Sequence, residues 1–71
     1  MTIYYIIEAQ DLNSERTVKR VEVYSLGDAK RIAIREQMYK RTVLKISDCS
    51  GFLLAFKLPG ESWFDTDFSH L

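Results

Sequence analysis

The stretch Ser25-Leu26-Gly27-Asp28-Ala29-Lys30-Arg31-Ile32-Ala33-Ile34-Arg35-Glu36-Gln37-Met38-Tyr39-Lys40 decides how this chain is built. At about 3.6 residues per turn, Leu26, Ala29, Ile32 and Ala33 fall on one side, an apolar stripe suited to packing on a second layer. Ser25 fits an N-cap, and Asp28 three residues on makes a weaker capping box while placing negative charge at the positive end of the helix dipole. Lys40 and Arg41 supply positive charge at the other end, so a helix is expected to run to about Lys40. Glu36 lands near the apolar stripe, where the pattern gives it no role. The opposite side carries Arg31, Ile34, Arg35 and Met38, flanked by Lys30 and Gln37. Arg31 and Arg35 are like charges one turn apart, which slightly destabilises an isolated helix. Ile34 and Met38 are apolar where water is expected, and a methionine adapts well to a partner surface. Guanidinium groups mixed with apolar anchors resemble the centre of a binding patch. The ordinary alternative for a charged helix face is plain solvation.

Outward from this helix the chain reads as strands. Thr2 to Gln10 alternates, with Ile3, Tyr5, Ile7 and Ala9 on one face and Tyr4, Ile6, Glu8 and Gln10 on the other. Asp11-Leu12-Asn13-Ser14 is a turn cluster. Arg16 to Tyr24 alternates again, and the two segments predict an antiparallel hairpin. Beyond the helix, Thr42 to Asp48 is a third strand and Asp48-Cys49-Ser50-Gly51 a turn. Phe52 to Leu58 is a fourth, apolar at nearly every residue and therefore expected at the centre of the sheet. Pro59-Gly60 marks a turn, and Glu61 to Asp67 reads as a short edge strand with Trp63 reaching back onto the sheet. The expected fold class is α+β: an antiparallel sheet of four to five strands in the order ββαββ(β), with one helix on one face.

At 71 residues the chain is expected to form a single domain over 1–71, with a thin core and little room for a deep substrate cleft plus its scaffold. Hydrophobic content of 46% and charged content of 28% argue against disorder. No apolar run approaches the roughly 20 residues that cross a bilayer, and no signal-type leader opens the chain. The reading is a soluble, intracellular protein with no membrane partner. Net charge is zero but unevenly distributed. Arg16 to Lys45 holds nine basic and three acidic residues, a balance of +6, and the remainder carries −6. Such a molecule can offer a basic face to an acidic partner or nucleic acid, unless the opposite charges interleave on folding.

Reactive chemistry is thin. Cys49 alone excludes an internal disulfide and a multi-cysteine zinc site. His70, next to the C-terminus, is the single histidine, so the one nucleophile–histidine pair available is Cys49 with His70. The carboxylates show no metal or glycosidase spacing, and the three glycines form no phosphate loop. No catalytic residue, metal or cofactor is expected. Phe52, Phe56 and Trp63 could stack bases, although a small sheet has greater need of them as core. What remains for function is surface contact.

The ordered segments Tyr4-Tyr5-Ile6-Ile7, Asn13-Ser14-Glu15-Arg16, Ser25-Leu26, Ala29-Lys30-Arg31-Ile32-Ala33, Glu36-Gln37, Thr42-Val43, Leu54-Ala55, Lys57 and Trp63 resemble a small anti-CRISPR family, the ninth-numbered family acting on type I-F systems and encoded by phages and mobile elements. The resemblance runs from Tyr4 to about Asp65, with one apparent insertion in the Asp48 to Ser50 turn; Asn13 to Arg16 and Ala29 to Ala33 are its strongest parts. It implies a non-enzymatic inhibitor that binds the Cas7 backbone of the type I-F crRNA-guided surveillance (Csy) complex and blocks hybridisation of target DNA to the guide RNA. It also implies a non-specific duplex-DNA contact made by the bound complex. The partner-binding residues it implies are Lys30, Arg31, Arg35 (Lys in the family), Gln37, Lys57 and, at an aromatic position, Tyr39. Ile34 and Met38 join them from the helix-face reading and are bulkier than their counterparts in the family. Glu61 and Ser62 replace basic character near Trp63, and the tail adds Asp65, Asp67 and Phe68, which weighs against a DNA contact from that edge. The expected setting is the cytoplasm of the bacterial host, with the free protein a monomer. The alternative from the residues alone is a small non-specific nucleic-acid-binding domain using the basic helix face.

Overall fold

The structure is a computed structural model, and it describes residues 1–10 and 17–66. In chain order the elements are β1 (Thr2–Ala9), β2 (Thr17–Val23), α1 (Leu26–Arg35), β3 (Val43–Ser47), β4 (Leu53–Lys57) and β5 (Trp63–Asp65). The strands form one five-stranded sheet in the order β2-β1-β3-β4-β5, antiparallel at every pairing. This is the α+β class and the ββαββ(β) order expected from the sequence. The expected turn at Asp11–Ser14, the start of the second strand at Arg16, the far end of the fifth at Asp67, and His70 lie outside the described residues.

Two-residue alternation settles which strand face is covered. Tyr4, Ile6 and Glu8 share a face of β1, and Ile6 stands opposite Ile46 of β3 while Glu8 stands opposite Leu44. Ile6, Leu44 and Ile46 meet Ala29 and Ala33 of the helix in the buried core, with Tyr4, Val21, Val23, Leu26, Ile32 and Trp63 packed around them. Small alanines at the contact let the helix backbone approach the sheet closely. Leu44 and Ile46 are the largest fully buried side chains, each stabilising the fold by about 2 kcal/mol. Both stand on β3, the middle strand, because β3 is covered by strands on both edges and by the helix above.

Three expectations are corrected. The central strand is β3, and the more continuously apolar β4 lies between it and the edge strand β5. Phe52 and Phe56 do not form the core. Phe52 precedes β4 and is 71% exposed, while Phe56 pairs with Lys45 on the helix-free face and stacks on Phe64 at a ring separation of 5.3 Å. An apolar run on β4 therefore reflects a sheet with two greasy faces of which the helix covers one. Trp63 does pack against the core, as expected.

The third correction is the helix length. It ends at Arg35, with Glu36 as its C-cap, and not near Lys40. Beyond that point the Gln37 N–H reaches Ile34 O at 3.4 Å, and the next two backbone N–H groups, of Met38 and Tyr39, donate to the Glu8 carboxylate instead of to helix carbonyls. Arg41 then takes a left-handed φ of 63° that turns the chain into β3. A carboxylate from a neighbouring strand thus competes successfully with helix propagation.

An exposed ridge from helix to loop as the candidate binding site

The ridge begins at the helix N-terminus. Ser25 has the extended backbone of an N-cap, and its hydroxyl accepts the Asp28 N–H at 3.2 Å, as its position predicts. The Asp28 carboxylate pairs with Arg31 one turn on. Arg35 lies 3.4 Å from Glu36, which also pairs with Lys19 of β2. Glu36, without a role in the sequence pattern, is therefore the anion that serves both Arg35 and Lys19. These partners offset the Arg31–Arg35 repulsion expected from their spacing.

Arg31, Ile34 and Arg35 line the solvent side of the helix, and Met38 and Tyr39 extend the line into the following loop. Ile34 is 49% exposed, Met38 65% and Tyr39 49%. Water covers three sizeable apolar groups set among two guanidinium groups, so the expected strip of Arg31, Ile34, Arg35 and Met38 exists, although Met38 stands on a loop, where Tyr39 joins it. Beside it, between β2 and the helix, lies a groove of about 500 Å³ lined by Tyr24, Asp28, Arg31, Ile32 and Arg35 among others. Tyr24 is 82% exposed in that groove. The sequence placed it only on a strand, and its position at the strand-to-helix junction next to Ser25 was the available signal.

The remaining expected site residues take other positions. Lys30 is half-buried, its ammonium 2.6 Å from Asp65 of β5 and 5.9 Å above the Trp63 ring. Lys57 on β4 stands opposite both Leu44 and Trp63, on the helix side of the sheet, so its position, like the Lys30 ammonium, is beside Trp63 and not on the ridge. The Trp63 indole N–H is buried without a hydrogen-bond partner among the described residues. Gln37 is half-buried in the segment that carries the ridge into the loop, directly before Met38, its amide nitrogen donating to the Thr42 hydroxyl at 2.8 Å. Among the described residues no three His, Cys, Asp or Glu side chains are grouped to hold a metal ion, and Cys49 is an exposed free thiol. Asp65, which the sequence suggested would weaken a basic edge, neutralises Lys30 directly.

Five paired cations (Lys19, Arg20, Lys30, Arg31 and Arg35) show how far the two signs interleave. Of these five pairs, Lys30–Asp65 joins the basic middle segment to the acidic remainder, and the other four lie within Arg16 to Lys45.

Among the described residues, one helix on a five-stranded sheet leaves an exposed, mixed apolar and cationic ridge, and the class is a small α+β fold. No family model matches the chain, and none of the curated proteins does. Among solved structures, AcrIF9 matches with a TM-score of 0.87 and 42% sequence identity, covering 100% of this chain and 95% of that one. At that identity and coverage the chain belongs to the AcrIF9 family of anti-CRISPR proteins.

Proposed function

We propose that the chain is a non-enzymatic inhibitor that binds the Cas7 backbone of a type I-F crRNA-guided surveillance complex, in the cytoplasm of the bacterial host, and blocks hybridisation of target DNA to the guide RNA. The observation that carries this reading is the ridge of Arg31, Ile34, Arg35, Met38 and Tyr39, which exposes apolar anchors between guanidinium groups. Arginine and large apolar groups are what protein interfaces favour at their centres. A site that receives nucleic acid is itself rich in Lys and Arg, so an inhibitor imitating DNA would be acidic. This ridge is not, which supports steric occupation of the channel over charge mimicry. Arg31 and Arg35, each already beside a carboxylate, can exchange that partner for a carboxylate of the complex, which a guanidinium can engage through two parallel N–H groups. The non-specific duplex-DNA contact would then be made by the bound complex, using basic residues such as Lys57 that lie off the ridge.

Pull-down with a reconstituted type I-F complex tests the reading, with and without target DNA bound first. Capture of the guide-loaded complex, loss of capture after target hybridisation, and an intact guide RNA are expected. Normal capture of target DNA by the complex at saturating inhibitor would overturn it. The nucleic-acid-binder alternative predicts a gel shift by the protein alone that falls steeply with salt, since displaced counterions drive such binding.

A further inference from the structure

Glu8 is a carboxylate in the wrong place for a core residue and the right place for a loop. It is 4% exposed on the core face of β1. Its Oε1 accepts the Met38 N–H at 2.9 Å, and its Oε2 accepts both the Tyr39 N–H at 2.9 Å and the Thr42 hydroxyl at 2.8 Å. Thr42 is itself 4% exposed, and the hydroxyl that donates to Glu8 accepts the Gln37 side-chain N–H at 2.8 Å. A buried carboxylate without such partners is strongly unfavourable, and an apolar residue would fill the same space without that cost. All three partners of Glu8 named here belong to the six residues from Gln37 to Thr42, the segment that leaves the helix and carries Gln37, Met38 and Tyr39. The same bonds stop the helix at Arg35, so they decide whether those side chains continue the helical spiral or project from a loop.

We propose that Glu8 and Thr42 are positioning residues of the binding ridge: through the relay Glu8–Thr42–Gln37 and the two backbone bonds, they fix the orientation in which Gln37, Met38 and Tyr39 meet the partner. The proposal rests on the reading of the ridge as the partner-binding surface. Pre-ordering these side chains removes an entropic cost that binding would otherwise carry. Neither Glu8 nor Thr42 needs to touch the partner, because both are buried beneath the loop.

The test compares Thr42→Val, which keeps shape and removes the hydroxyl, with Thr42→Ser, which keeps the hydroxyl, each alone and the first combined with Gln37→Ala. Affinity for the guide-loaded type I-F complex is measured by surface plasmon resonance, with thermal melts to confirm folding. Thr42→Ser should bind like the parent, and Thr42→Val should lose about tenfold. In the Gln37→Ala background, Thr42→Val should add less than about twofold, because the two side chains act as one unit. Parent-like binding by Thr42→Val, or its full loss repeated in the Gln37→Ala background, overturns the proposal. A purely structural role would lower the melting temperature without that non-additivity. Failure of the parent itself to bind would sink the proposed function, and the positioning claim is then judged on the free protein by NMR. There, Thr42→Val and Glu8→Gln should shift the Gln37 side-chain amide, and Glu8→Gln should speed exchange of the Met38 and Tyr39 amide protons. Unchanged resonances and exchange would overturn it.

Discussion

Lys30 on the helix and Asp65 on β5 meet at 2.6 Å across 35 residues of sequence, with the lysine ammonium also above the Trp63 ring. The contact tethers the edge strand to the helix. The Asp65 side chain is more than half exposed, so solvent screens the pair and its contribution is modest. Urea denaturation of Lys30→Ala, Asp65→Ala and the double variant should give a coupling of about 0.5 kcal/mol, shrinking in high salt. A coupling well above about 1 kcal/mol would show that the pair is effectively desolvated.

Arg31 lies on the exposed ridge and its charge is set against Asp28 alone among the described residues. Arg31→Glu places two carboxylates at i,i+3 and should cost only about 0.3 kcal/mol of stability. Binding to the guide-loaded complex should weaken at least about tenfold, as for loss of an interface arginine worth upward of about 1.4 kcal/mol. Calorimetry on the same preparation separates the two effects.

Ser25 holds the first turn of the helix through its hydroxyl. Ser25→Ala should lower stability by about 1 kcal/mol, and Ser25→Asp should restore most of it by capping and by its charge at the helix N-terminus. Chemical denaturation reads both.

Leu44 and Ile46 fill the narrow space between the sheet and two helix alanines. Leu44→Ala should destabilise by about 3 kcal/mol through lost burial and the residual cavity. Against a total of about 5–15 kcal/mol for a domain, that fraction should be visible as a lowered melting temperature and faster amide exchange throughout the sheet.

Arg41 is the one described non-glycine residue with positive φ. Left-handed backbone costs such a residue about 1 kcal/mol, while glycine recovers that cost but adds unfolded-state entropy of similar size. Arg41→Gly should therefore change stability by less than about 0.5 kcal/mol, and Arg41→Val should destabilise by more than about 1 kcal/mol, because a β-branched residue tolerates this φ least. Thermal melts of the two variants test the ordering.

The elements themselves were legible in the residues. Alternation in Thr2–Ala9 and Thr17–Val23, the Ser25 cap and the spacing of Leu26, Ala29, Ile32 and Ala33 are local signals, and each reappears in the structure. The exposed positions of Arg31, Ile34 and Arg35 follow from the same helical period. The end of the helix was not legible. Gln37 to Lys40 is compatible with helix on local grounds, and what stops it is Glu8, about thirty residues earlier in the chain. The signal was present as a carboxylate alternating with Tyr4 and Ile6, but its meaning required knowing what lay above it. The direction of the Lys30 side chain was not legible for the same reason: the spiral puts the residue beside the strip, while Asp65 and Trp63 draw its ammonium toward β5.

Sequence by itself determined the strand and helix periods, the cap and the mixed character of the outward helix face, because these depend on neighbours within a few residues. Tertiary structure decided where the helix stops, which strand is central, which aromatic residues are core, and which cations belong to the ridge. Those outcomes depend on which groups compete for the same backbone donors, the same carboxylates and the one sheet face that a single helix can cover. That competition is between residues far apart in the chain, and only folding brings them together.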